Sequence, residues 1–143
     1  MASNRDKEPW LGLYLPLRNT ASYLKKTSKY SHVLKRDVQI LSFYIAWGNE
    51  TEPDLQGIEL VLHQGLIPML TWEPWWLPQD QSISCLPEDQ PDFSLDEILK
   101  GRYDDYIRRW AFALKKVSNP ILFRPMHEMN GDWYPWCGSV NRN

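Results

Sequence analysis

No apolar run in the sequence approaches the roughly 18 residues that a membrane-spanning helix requires, so no such helix is expected. The opening stretch "MASNRDKEPW" has no apolar segment of the kind found in export leaders. The expectation is therefore a chain that stays inside the cell or one whose leader has been removed. Only two cysteines occur, Cys85 and Cys137, too few for a disulfide framework, and free thiols are expected. An excess of charge of either sign is lacking: 16 Lys and Arg stand against 18 Asp and Glu, and the formal net charge of −2 leaves no electrostatic footprint for nucleic acid. The three histidines, His32, His63 and His127, show no metal-ligand spacing. No nucleophile elbow, phosphate loop or dinucleotide fingerprint appears either. Neither metal nor cofactor is expected.

What is present is aromatic. Eight Trp and seven Tyr crowd into 143 residues, most of them near presumed strand ends and loops. At such places an aromatic ring can stack on a sugar or simply close a core, so their number alone does not decide between the two.

The chain repeats one grammar: a short apolar run, a polar loop, an amphipathic segment. The apolar runs are Leu11 to Pro16, Val38 to Trp47, Gly65 to Trp72, and "ILFRPM" from Ile121 to Met126. The first helix falls on "NTASYLKKTSKY", with Asn19 or Thr20 as its cap. The second begins near "TEPD", with Thr51 as cap, Pro53 in the first turn and Asp54 at the positive end of the dipole. Leu55, Ile58 and Leu62 mark its apolar face, and Gly65 ends it. In the third helix, Ser94 and Glu97 form a capping box. The spacing of Tyr103, Ile107, Trp110, Leu114 and Val117 predicts one core-facing stripe, which "SNP" stops at Ser118 to Pro120. Before that helix lies "EPWWLPQDQSISCLPEDQPDF", a long irregular stretch of the kind that tends to be functional.

Continuous apolar strands alternating with helices imply a parallel sheet covered by helices. Right-handed crossovers then gather the strand C-termini on one edge, where α/β proteins build their sites. Tyr14, Trp47, Trp72, Glu73, Arg124, His127 and Glu128 all fall there. Glu128 is either a solvated loop carboxylate or a proton donor whose charged form is disfavoured among His127, Met129 and Trp133. Arg124 is a partner for Glu73, a ligand for substrate hydroxyls, or both. His127 has a structural reading beside a functional one. Trp75 and Trp76 plug the sheet rim or stack on sugar, while Trp133, in a Gly-containing turn, is placed to fold back over Glu128.

"RPMHEMNGDWYPW", Arg124 to Trp136, closely resembles the signature of glycoside hydrolase family 26, the β-mannanase family of clan A. "TWEPWW" resembles the end of the family's third strand, and "YDDYIRRWAFALKK" the helix leading to its fourth. The resemblance implies a (β/α)8 barrel that hydrolyses β-linked polysaccharide or oligosaccharide, β-1,4-mannan above all, with retention of configuration. It assigns Glu128 as general acid/base at the end of strand four and His127 as its support. Trp72, Glu73, Arg124, Asn130, Trp133 and Tyr134 become substrate-binding residues, Trp72 as part of the cleft floor.

Two positions depart from the family pattern. Many family mannanases carry His where this chain has Glu73, and "GSVNRN" places Arg142 where the family has Gly. A full barrel takes roughly 250 residues, so the 143 residues correspond to an N-terminal part of the catalytic domain, truncated after strand four. The family's nucleophile, on strand seven, is then expected outside this chain, and the isolated chain is expected to be inactive or nearly so. Open strand edges at strands one and four favour self-association. Alternatives are a β-glucanase or β-xylanase built on the same machinery, or a non-catalytic carbohydrate-binding remnant.

Overall fold

The structure is a computed structural model, and it describes residues 9–15, 20–78, 86 and 90–142. Cys85, Asn19 and most of the long stretch after Trp76 lie outside those residues. Four strands form one sheet in sequence order: β1 (Gly12–Tyr14), β2 (Ile40–Ala46), β3 (Ile67–Glu73) and β4 (Leu122–Pro125). All three neighbouring pairs are parallel, as the crossover argument requires. The helices α1 (Thr20–Leu34), α2 (Leu55–His63), α3 (Leu95–Leu99) and α4 (Asp104–Leu114) lie in the connections, after a short 3-10 turn at Pro91–Phe93 in the last. The α/β class thus holds, with four parallel strands in one open sheet, the arrangement of a partial (β/α)8 barrel. Among the described residues, no helix is long and apolar enough to cross a membrane.

Strand alternation divides the sheet into two faces. On β2 and β3, Ile45, Leu70 and Trp72 join Ile58, Tyr106 and Trp110 from α2 and α4 in one buried cluster. Tyr23, Leu41 and Val61 form a second under α1 and α2. Tyr23 also ties three elements together. Its hydroxyl accepts from the Leu15 amide at 2.6 Å and lies 2.8 Å from the Leu13 carbonyl and 3.0 Å from that of Ser42. The opposite face carries Tyr44, Thr71, Glu73 and Arg124, with Thr71 registered directly against Arg124.

Local signals fared unevenly. Ser94 caps α3, its hydroxyl accepting from the Glu97 amide at 3.4 Å. Asp54, not Thr51, caps α2, because its carboxylate reaches the Gly57 amide at 2.9 Å. Thr20 is the first residue of α1 rather than its cap. The single third helix is in fact two, α3 and α4, broken where Gly101 takes φ +85°.

Candidate active site

The site forms where β3 and β4 end. The ladder continues one step past β4, the Met126 amide donating to the Trp72 carbonyl at 3.1 Å. The chain then turns sharply: Met126 and Glu128 both take left-handed backbone, at φ +49° and +54°. Such geometry costs on the order of 1–3 kcal/mol per residue and persists only where surroundings enforce it. Here they do. The Trp136 indole donates to the His127 carbonyl at 2.7 Å, and the Gly131 amide to the Glu128 carbonyl at 3.0 Å. The Gly138 amide closes the turn on the Met129 carbonyl at 2.9 Å. Trp136 and Cys137 are fully buried beneath this turn, and Cys137 is a free thiol.

The turn presents Glu128 to solvent, with its carboxylate accepting a hydrogen bond from the Trp133 indole at 3.1 Å. Gly131 makes that return possible, since a Cβ there would come within 2.7 Å of the Trp133 ring. Trp133 itself is half exposed, its ring beside the carboxylate it holds. Of the two environments left open for Glu128, the exposed one is found. Burial falls instead on Glu73, which is 1% exposed and accepts from the Trp75 indole at 3.4 Å. That burial pushes the Glu73 carboxyl up to about 7, against the opposing effects of the Trp75 hydrogen bond and the Arg124 charge, with Glu128 adding to the rise.

His127, also buried, has Nδ1 3.5 Å from Glu73 Oε1 and Nε2 3.1 Å from the Tyr134 hydroxyl. Burial lowers its basicity; Arg124 lowers it further, and Glu128 opposes. The shifts of Glu73 and His127 favour the same state, an uncharged pair. Tyr134 lies flat on Trp136, ring centroids 4.3 Å apart and planes within 9°, and it meets Trp75 edge-on at 4.9 Å. Its hydroxyl is pushed up to about 12 by burial and the nearby carboxyl groups.

Arg124 does not pair with Glu73. Its guanidinium donates to the Thr71 hydroxyl at 2.8 and 3.0 Å and to the Tyr44 hydroxyl at 3.0 Å. Tyr44 and Thr71 were missed in the sequence, although strict alternation along β2 and β3 puts them on the face opposite Leu70 and Trp72. Trp72 also departs from expectation. It is buried on the helix-covered face, its indole donating to the Tyr106 hydroxyl at 3.3 Å, and so does not floor a cleft beside Glu73. Asn130 is exposed in the turn after Glu128. Among the described residues, no group of three or more His, Cys, Asp or Glu is arranged to hold a metal ion.

A carboxyl raised from 4.5 to about 7 makes the folded state the better proton binder. Stability from this group is present below the unfolded value and is lost as pH rises through the folded one, at most about 3 kcal/mol in all. Glu73→Gln, which does not titrate, is expected to melt at a higher temperature than wild type at about pH 8 and to show no such advantage at about pH 4. Thermal melts at the two pH values measure it; equal gaps at both would contradict the burial argument.

Comparison with known proteins agrees with this geometry. Residues 88–142 match the model of glycosyl hydrolase family 26. Endoglucanase H of Acetivibrio thermocellus is 29% identical over 127 residues, 89% of this chain and 12% of that protein. The mannan endo-1,4-beta-mannosidase of Bacillus subtilis is 40% identical over 45 residues, 29% of this chain and 12% of that protein. The mannan endo-1,4-beta-mannosidase A and B of Caldalkalibacillus mannanilyticus is likewise 40% identical over 45 residues, 9% of its length. The chain thus spans about an eighth, or less, of these curated relatives. Through the segment 88–142, which carries α3, α4, β4 and the Glu128 turn, the chain is similar to glycosyl hydrolase family 26.

Proposed function

We propose that residues 1–143 form the N-terminal part of a family 26 catalytic domain and supply the acid/base side of a β-glycosidase site. The observation that carries this reading is Glu128 itself: solvent-facing at the C-terminal end of a parallel strand, inside the family-matched segment, with its carboxyl held by the Trp133 indole. Glu128 protonates the departing glycosidic oxygen and later takes a proton from the attacking water. Arg124 and Tyr134 bind sugar hydroxyls, and the exposed ring of Trp133 offers a face for sugar C–H groups. Asn130, in the same exposed turn, adds a hydrogen-bonding amide.

Retaining hydrolysis needs a second carboxyl about 5–5.5 Å from the first. Glu73 does not serve, because it is buried against His127 and Trp75. The family resemblance assigns the nucleophile to a strand outside these residues, and the chain alone is expected to be inactive or nearly so. Added to the C-terminal half of a family 26 catalytic domain, it is expected to release reducing sugar. Activity of the chain alone would overturn the assignment of the nucleophile.

The substrate reading is β-1,4-mannan. A β-glucan reading stands second, favoured by the endoglucanase relative, which matches most of this chain where the mannosidases match 45 residues. Mannan, mixed-linkage glucan and xylan assayed side by side separate them, and turnover of glucan alone would replace the first reading with the second. Among the described residues, β1 and β4 are the outer strands of the sheet, and Tyr14, Leu122 and Phe123 on them are exposed. Self-association through these edges is the expected state in isolation; a monomer in sedimentation velocity at micromolar concentration would contradict it.

A further inference from the structure

We propose that Glu73 is a positioning residue that decides which ring nitrogen of His127 carries the proton, and so which way the His127–Tyr134 hydrogen bond runs. The proposal deepens the reading of this strand end as a sugar site and rests on it only for what the Tyr134 hydroxyl then meets.

Three groups stand in line. Glu73 Oε1 lies 3.5 Å from His127 Nδ1, and His127 Nε2 lies 3.1 Å from the Tyr134 hydroxyl. Nδ1 is buried and makes no hydrogen bond in this arrangement, so the carboxyl facing it is the group able to satisfy it. A neutral imidazole has one donor and one acceptor nitrogen, and whatever Nδ1 does, Nε2 does the opposite. With Glu73 protonated, its O–H donates to Nδ1, and Nε2–H donates to the Tyr134 oxygen. The Tyr134 proton is then free to point at a substrate oxygen. With Glu73 ionised, Nδ1–H donates to the carboxylate and Nε2 accepts from Tyr134, whose oxygen is left to accept from a substrate hydroxyl. One proton leaves between the two states. The Glu73 proton passes to Nδ1 while the Nε2 proton is released to solvent.

The surroundings keep the relay short. Glu73 is faced by the Trp75 indole from its own loop, by Arg124 on β4, by Glu128 and Tyr134 beyond β4, and by Tyr14 on β1. His127 is faced by Arg124, Glu128 and Tyr134, and edge-on by the Tyr44 ring of β2 at 5.5 Å. Arg124 and the burial both work against an imidazolium, which would donate from both nitrogens and abolish the switch. Tyr134 keeps its proton through the neutral range, so its hydroxyl must turn one way or the other.

The test needs no hydrolysis. Long-range proton–nitrogen spectra of the 143-residue chain, labelled at histidine, report the tautomer of each ring directly. His127 is assigned by the signals lost in His127→Gln, with His32 and His63 as references. Wild type is expected to pass from Nε2–H at about pH 6 to Nδ1–H at about pH 9 while remaining neutral. Glu73→Gln is expected to hold one tautomer throughout, and Tyr134→Phe to keep the switch, because Glu73 drives it. The Trp136 indole signal, bonded to the His127 carbonyl, reports that the turn is folded in each variant. One tautomer at both pH values in wild type, or an unchanged switch in Glu73→Gln, would overturn the proposal. Failure of Glu128 as acid/base would leave these spectra unaffected, so the two assignments fail separately.

Discussion

Glu128→Gln is expected to lower hydrolysis of β-linked polysaccharide by about 10²–10⁴-fold, the usual contribution of a placed proton donor. The comparison is made with the chain supplied alongside the C-terminal half of a family 26 catalytic domain. The amide preserves the shape of the carboxyl and can still accept from the Trp133 indole, so the turn survives and only proton transfer is lost. Binding of oligosaccharide should therefore change little while kcat falls. An unchanged kcat would remove Glu128 from the chemistry.

The second large effect is on stability. Trp110 is 1% exposed and packs against Trp72 at 5.8 Å and Tyr106 at 6.0 Å between ring centroids, in the cluster that joins α4 to β3. Trp110→Ala removes one of the three tryptophans of that cluster and leaves a cavity that rigid neighbours fill poorly. The expected loss is about 3–5 kcal/mol. Since whole domains are stable by only about 5–15 kcal/mol, the variant should lose a large share of its stability. Urea denaturation followed by tryptophan fluorescence measures it, and a loss below about 1 kcal/mol would contradict the core described above. The site should suffer with it, because Trp72 on the core face and Glu73 on the site face are consecutive residues of one strand.

The architecture was legible because it follows from patterns that survive without tertiary context. Four apolar runs separated by helical stripes leave few choices, and the parallel, sequential sheet follows from crossover length and hand. Capping at Ser94 was legible for the same reason, since the interaction spans three residues. The α3–α4 break was not, because Gly101 sits within a stripe of apolar positions that continues across it in sequence.

At the site, the place was legible and the faces were not. β3 is apolar from Ile67 to Trp72 except at Thr71, so its sequence carries too little period to say which residues point where. Trp72 was accordingly expected in the cleft, and it is the sheet's helix-covered face that takes it. The same ambiguity hid the burial of Glu73, which was expected at the site edge and on substrate but whose environment depends on His127 and Trp75 packing against it. Glu128 was found through its own segment, yet its exposure depends on the left-handed turn at Met126 and Glu128, which no residue type there announces. Arg124 was drawn to Thr71 and Tyr44 by register, a property of strand pairing that a single strand does not encode.

The proton transfer assigned to Glu128 is tested most directly by the product formed when that carboxyl is removed. In Glu128→Ala, assayed with the complementing half on a dinitrophenyl β-glycoside, the leaving group no longer needs protonation, so the first step proceeds. Azide, which needs no general base, should then restore turnover and yield a β-configured glycosyl azide, while polysaccharide hydrolysis stays lost. Polysaccharide hydrolysis at the wild-type rate, with no azide product, would contradict the account.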